Sequence, residues 1–353
     1  MRIAHALALV AMTAAAQDRP ETVIRTTARL VQVRVVAENS QGDPVTDLRK
    51  EEFQLQDNRK PRPIALFASE GATLPAADGA SAESGGEYAL ILLDWLNPKF
   101  ADRLMVRDNV NKLLKTFQPR QMVGLYLLGH DPHLVHDFTS DPASILQALA
   151  DTPDEPYDAD DGPANKLARY DARTLTPKLT VEEQIFHFNI KIEDTLHTLD
   201  KVADGLARIP GRKSLIWVSN GFPIVLDKSA IPGAGEAEIS YAQDFERLIG
   251  KCNRADVAVY TVDARGLSVS SRSYGGTLKE FADRTGGTAF RDRNDLDEGM
   301  RLALEDTKIS YTLGFMVGPD AAPGVHEIRL RTTRPGVTLR YRESYQLDDA
   351  RGR

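Results

Sequence analysis

The order of apolar and polar positions divides the chain into three textures. Over residues 28–70 the apolar residues come in short, β-branched or alternating runs. Leu30, Val31, Val33, Val35 and Val36 form the first, Phe53-Gln54-Leu55-Gln56 the second, and Ile64, Leu66 and Phe67 the third. Gly42-Asp43-Pro44 and Asp57-Asn58 separate them as turns, so the stretch reads as a small β unit. Residues 71–87, rich in Gly, Ala, Ser and Asp, read as a linker. From residue 88 unbroken apolar runs of strand length alternate with stretches of helical period. The runs are Tyr88–Leu93, Met122–Leu128, Ser214–Ser219 and Val257–Val262, each suited to a strand buried on both faces of a parallel sheet. Leu134-Val135-His136 follows the second run so closely that it predicts an antiparallel hairpin edge, and 286–290 predicts a sixth strand.

Helical spacing appears over 98–117, 141–150, 180–209, a stretch carrying Tyr241, Phe245, Leu248 and Cys252, one opening at Thr277, and 295–308. The clearest stripe is Ile185, Phe188, Ile192, Leu196, Leu199, Ala203 and Leu206. Residues 151–179 interrupt this order with an acidic, proline-containing insert. Over 310–346 the β texture returns in Tyr311–Phe315, Val325–Leu330 and Val337–Tyr341.

These patterns predict an α/β chain: a doubly wound, mostly parallel six-stranded sheet over 88–309 with strand order 3-2-1-4-5-6. A small, immunoglobulin-like β module, built jointly by 28–70 and 310–346, is appended to it. Three or so strands from either end alone would be marginal in water, so the two ends are expected to pack together. In such a sheet ligands bind beyond the carboxyl ends of the strands. Asp94, Asn220 and Asp263 all fall there, and Asn97-Pro98 reads as N-cap and first position of the first helix.

Composition narrows the function. The chain has 353 residues, 42% of them hydrophobic, and a formal net charge of -7, which argues against general nucleic-acid binding. Met1–Ala16 reads as a signal peptide: Arg2, a short apolar core and the small-residue site Ala14-Ala15-Ala16. Residues 17–27 and 347–353 read as tails. No other stretch reaches the roughly 18 apolar residues of a membrane span. The expectation is therefore an exported protein, periplasmic or extracellular, with no transmembrane segment. Cys252 is the sole cysteine and lies on an apolar stripe, so no internal disulfide forms and a buried thiol is expected.

Several catalytic readings fall on their own terms. Ser219-Asn220-Gly221 invites a hydrolase reading, but Trp217 stands where a nucleophile elbow needs glycine. No phosphate-binding glycine loop is present. His130, His133 and His136 are spaced by three, which strand geometry does not align on one face. In the acidic run Asp154–Asp161, Tyr157 and Ala159 fall where a calcium loop needs ligands.

The six-strand order, the strand-end Asp94 and the closing Ser-Asn-Gly resemble a von Willebrand factor type A domain, over about 88–309. The resemblance is to the VWFA-related proteins of acidobacteria, through LLDWLN, YLLGHD, HDFTSDP, IPGRKSLIWVSNGFP, VAVYTVDARG, RTGGTAF, NDLDEGM and YTLGF. It implies protein–protein or cell-surface recognition without catalysis. It also implies a Mg²⁺ adhesion site of the form D-x-S-x-S, a Thr from a middle loop and an Asp after the fourth strand. Here Asp94 matches the first Asp, Leu96 and Pro98 stand for the serines, Asn220 stands for the last Asp, and Thr152 is a weak candidate for the Thr. One carboxylate and one amide make a poor magnesium site, so no cofactor is expected, and Asp94 with Asn220 is at most a degenerate one. The expected partner surface is the rim of Asp94, Asn97, Asn220 and Asp263 with loops 221–240 and 264–276. The alternatives are metal-dependent adhesion at Asp94 and, more remotely, a hydrolase using Ser219.

Overall fold

The computed structural model describes residues 29–41, 44–69, 88–98, 100–116, 121–129, 131–153, 181–211, 213–227, 238–267, 274–305, 311–318 and 320–347. The expected signal peptide, the linker 71–87, His130 and nearly all of the insert 151–179 lie outside these residues.

In chain order the strands are β1 (Arg29–Glu38), β2 (Phe53–Asp57), β3 (Lys60–Arg62), β4 (Leu66–Ser69), β5 (Tyr88–Asp94), β6 (Met122–Leu128), β7 (His133–Thr139), β8 (Lys213–Ser219), β9 (Val225–Asp227), β10 (Glu238–Ser240), β11 (Val257–Asp263), β12 (Ala289–Phe290), β13 (Tyr311–Val317), β14 (Gly324–Thr332), β15 (Thr338–Tyr341) and β16 (Ser344–Leu347). The helices are α1 (Phe100–Thr116), α2 (Pro142–Asp151), α3 (Val181–Ala207), α4 (Ala242–Arg254), α5 (Gly275–Thr285) and α6 (Leu296–Glu305).

The central sheet runs β12-β11-β8-β5-β6-β7, which in order of appearance is the 6-5-4-1-2-3 arrangement expected from the sequence. Every pairing is parallel except β6 with the edge strand β7. Strand alternation explains why β5 is apolar throughout. Ala89, Ile91 and Leu93 enter one core with Val110 and Leu113 of α1, Ile145 of α2 and Met300 of α6. Leu90 and Leu92 enter the opposite core with Ile192 and Leu199 of α3, Phe245 of α4 and Phe281 of α5. Both faces of the sheet are covered, which leaves the strand ends as the places where polar groups converge.

Strands from the two ends of the chain interleave. One four-stranded sheet is β15-β1-β13-β4 and the other β16-β14-β2-β3, all antiparallel. Val33, Val35, Phe53, Leu55, Leu313, Phe315, Ile328 and Tyr345 from both sheets share one core, so the module is a sandwich. It docks at the amino ends of the central strands. Asn253 Nδ2 donates to Ser344 Oγ at 3.2 Å, the Arg342 guanidinium donates to the Asn253 carbonyl, and Arg340 reaches Thr288. Gly286 makes this approach: its φ is +81°, and a β-carbon there would lie 2.8 Å from the Arg342 nitrogen.

Three local expectations need correction. Asn97 is not the cap of α1, which starts at Phe100; the Asn97 side chain is turned inward instead. The edge strand is longer than Leu134–His136. The stretch 221–240 is not loop throughout, because Val225–Asp227 and Glu238–Ser240 pair as a two-stranded ribbon. Leu226 is buried against the second core, which gives the ribbon its anchor.

Candidate functional site

Asp94 ends β5 and is 1% exposed. The chain turns directly after it, and Trp95 N–H donates to the Leu128 carbonyl at 2.8 Å. The turn brings two backbone donors back onto the carboxylate. Leu96 N–H and Asn97 N–H each donate to Asp94 Oδ1 at 2.9 Å, the local closure that Asp favours after a strand. The other oxygen receives side chains. Asn97 Nδ2 donates to Oδ2 at 2.7 Å, and the Ser219 hydroxyl, arriving from the end of neighbouring β8, donates to it at 2.5 Å. Burial pushes the Asp94 carboxyl upward, while the Ser219, Asn97 and Leu96 hydrogen bonds pull the other way; the upward direction prevails.

The donors are held in turn. Gly221 N–H donates to Ser219 Oγ at 2.8 Å. Asn97 Nδ2 also donates to Thr195 Oγ1 of α3 at 2.9 Å, and the Thr195 hydroxyl donates to the Lys191 carbonyl. Gly221 has φ +72°, and a β-carbon there would lie 3.0 Å from the Tyr274 carbonyl, so the turn out of β8 needs glycine.

The other rim residues are placed close by and bonded separately. Asn220 is 6% exposed; its Nδ2 donates to Asp102 Oδ2 of α1 at 3.2 Å, and its Oδ1 is buried without a hydrogen-bond partner among the described residues. Asp263, 1% exposed, ends β11 beside Ser219 and is taken up by its own neighbour: Arg265 N–H and Nε donate to Oδ1 at 3.1 and 2.9 Å, and Nη2 donates to Oδ2. The four residues expected at the strand ends are therefore all there. Asp94 and Asn97 touch directly, Asn220 and Asp263 bond elsewhere, and only Asn97 is half-exposed. Among the described residues, accessible groups at this end include Asp102, Asp292, Asn294 and Leu267, the last 59% exposed.

The donor set does not fit the Mg²⁺ that a type A domain implies. Magnesium asks for six oxygens in near-octahedral order. Both Asp94 oxygens already accept two hydrogen bonds each, Leu96 is buried in the second core, Pro98 has no side-chain oxygen, and Asn220 brings no charge. Thr152 is the C-cap of α2, donates to the Ala148 carbonyl and is not bonded to Asp94. Among the described residues no group of three or more His, Cys, Asp and Glu is placed to hold a metal.

Ser219 is fully buried and donates a hydrogen bond to a carboxylate, with no imidazole among its hydrogen-bond partners in the described residues. His133 and His136 lie on the edge strand with ring nitrogens on the backbone oxygens of Asp131 and Asp137. Cys252 is buried, and burial pushes its thiol up to about 12. Sequence reasoning missed Thr195, Asp102 and Arg265. Thr195 carried a signal: it is a polar residue on the buried face of α3, next to Ile192, Leu196 and Leu199. Asp102 and Arg265 carried none, since each matters only through a partner on another segment or across a turn.

No family model matches the chain, and no curated protein matches it. Among solved structures it is similar to an aerotolerance-related membrane protein from Bacteroides fragilis NCTC 9343, at 15% identity over 62% of this chain and 99% of that one, with a TM-score of 0.36. It is similar to BatB from Bacteroides thetaiotaomicron at 14% identity, over 63% of this chain and 98% of that one, with a TM-score of 0.34. It is also similar to the ArnB paralog VWA2 from Sulfolobus acidocaldarius at 10% identity, over 92% and 77% of the two chains, with a TM-score of 0.33. The chain's own strand order and directions, rather than these likenesses, establish a doubly wound α/β sheet with an attached β-sandwich.

Proposed function

We propose that the chain is an exported, non-catalytic protein related to the von Willebrand factor type A domains, and that it recognises a protein partner at the carboxyl ends of its central strands. The observation that carries this reading is the disposition of the two ends of the sheet. The sandwich occupies the amino ends through Asn253, Arg340 and Arg342, while the carboxyl ends present Asn97, Asp102, Asp292 and Leu267 around a buried hydrogen-bonded base. Loops on such a rigid scaffold are where recognition concentrates. The buried Ser219 hydroxyl and the buried Cys252 thiol supply no nucleophile, in keeping with a binding role.

The test is capture of a cross-linked partner from the native envelope by the full chain and two matched variants. Leu267→Asp alters the rim, and Val325→Asp alters an equally exposed apolar position on the sandwich, 63% exposed. The rim reading expects at least about tenfold less capture with the first and unchanged capture with the second. The opposite pattern moves the site to the sandwich. Ester hydrolysis that disappears in Ser219→Ala would restore the hydrolase reading.

A further inference from the structure

The Asp94 carboxylate has about four lone-pair directions, and four donors fill them: Leu96 N–H and Asn97 N–H on Oδ1, Asn97 Nδ2 and Ser219 Oγ on Oδ2. We infer that the Ser219 hydroxyl, seconded by the Asn97 amide, takes on Asp94 the place a divalent cation takes in a metal-dependent rim, and holds the strand ends in one state whatever the divalent-cation level. The consequence for binding rests on the recognition reading above; the closure itself does not.

Three features make this more than a crowded carboxylate. The donors come from separate parts of the chain: the turn after β5, and the end of β8. Each is fixed by a second bond, Ser219 Oγ by Gly221 N–H and the Asn97 amide by Thr195 of α3, so the latch ties two strand ends to one helix as a metal would. The Ser219 contact, at 2.5 Å, is the shortest on Asp94. A cation entering here has to displace a donor that, being buried, has no water to turn to. Ser219 is thus a positioning residue: it touches no partner, and it sets the conformation in which the rim is presented.

The experiment is amide hydrogen exchange on the full chain, in millimolar MgCl₂ and in EDTA, for the unaltered protein, Ser219→Ala and Ser219→Thr. The unaltered protein is expected to exchange at Leu96, Asn97 and Gly221 at rates equal within about twofold in the two buffers. Ser219→Ala is expected to exchange at least about tenfold faster at these amides, and Ser219→Thr, which keeps the hydroxyl, to stay near the original rate. Slowing by magnesium in Ser219→Ala alone also supports the inference, because that change frees one acceptor position. Saturable slowing by magnesium in the unaltered protein overturns it. So does unchanged exchange in Ser219→Ala. Where Ser219→Ala does not fold, the magnesium comparison and Ser219→Thr still decide. A partner lost in Val325→Asp with these exchange results intact refutes the rim as recognition surface and leaves the latch standing.

Discussion

Replacing Asp57 by alanine should destabilise the sandwich by roughly 3–5 kcal/mol, the cost of removing one partner from a buried ion pair. Asp57 is 1% exposed and gathers the whole β16-β14-β2-β3 sheet at one point. Its Oδ2 accepts from Arg62 Nε and Nη2 of β3 at 3.1 and 2.8 Å. Its Oδ1 accepts from Tyr345 OH of β16 at 3.1 Å and faces His326 Nδ1 of β14 at 2.8 Å. His326 Nε2 in turn meets the Ala322 carbonyl at 2.7 Å. Without the carboxylate, His326 Nδ1 and Tyr345 OH, 3.1 Å apart at 6% and 5% exposure, have only each other left in a place water does not reach, whereas the 30%-exposed Arg62 side chain recovers solvent. The figure therefore belongs at the lower half of the range. Urea denaturation followed by far-UV circular dichroism measures it. With a slope near 2 kcal/mol/M, the sandwich transition should move down by about 1.5–2 M. Tryptophan fluorescence should move less, because Trp95 and Trp217, the chain's two tryptophans, both lie in the α/β cores. The pH dependence has a definite sign. Burial raises the Asp57 carboxyl, but the His326, Arg62 and Tyr345 bonds outweigh it and hold it below its ordinary value of 3.8. Its contribution is thus complete above that value and is lost as pH falls through the lower folded value. Asp57→Asn should remove that acid step. A midpoint shift below about 0.3 M in Asp57→Ala would refute the reasoning, since the buried His326 and Tyr345 bonds cannot be that cheap to remove.

Cys252, buried and with its thiol pushed up to about 12, should resist a thiol-specific disulfide reagent at pH 8 in the native protein and react in full once denatured, as read by released chromophore. Gly287→Ala would place a β-carbon 2.0 Å from the Val259 carbonyl, inside the strand β11, so expression in soluble form should fail or the melting temperature fall by several degrees, at a cost of about 3 kcal/mol or more. Arg342→Ala removes donors to the carbonyls of Asn253 and Gln32, one on each side of the junction, and should cost about 1–3 kcal/mol in thermal unfolding while leaving the exchange of Asn97 unchanged.

The four inner strands of the central sheet, β5, β6, β8 and β11, were readable because each is buried on both faces. A run such as Leu90–Leu93 has no polar position to confuse with helix, and its length separates it from the helical stripes around it. The interleaving of the two chain ends was readable only as a need: neither end had enough strands to cover its own apolar faces. Which strand paired with which was not readable, because that depends on registers between residues as far apart in the chain as Val35 and Tyr341. At the strand ends the residue types were legible and their engagements were not. Asn97-Pro98 carries the signature of a helix start, yet the amide finds a stronger acceptor in Asp94, and the helix opens later. Ser219 looked like a misplaced nucleophile because a sequence shows a hydroxyl without showing where its proton goes.

Interleaving also decides how the recognition surface has to be tested. Removing residues 28–70 would take β1 and β4 from the two sides of β13, take from β15 its partner β1, and leave β14 paired with β16 alone. Tyr311, Leu313 and Phe315 are 1% exposed or less, and each would lose burial worth about 1.5–3 kcal/mol. An unpaired β13 is moreover a long apolar edge, the kind that pairs with other chains. Loss of partner by such a truncated chain would report aggregation rather than the location of the site. Point changes at matched exposed positions avoid this. Leu267 and Val325 are 59% and 63% exposed, so a charge at either costs the fold little, typically within about 0.5 kcal/mol. If both variants melt with the unaltered protein and only Leu267→Asp loses the partner, the carboxyl ends of the sheet are the site. If only Val325→Asp loses it, the sandwich binds and the central sheet serves to carry it.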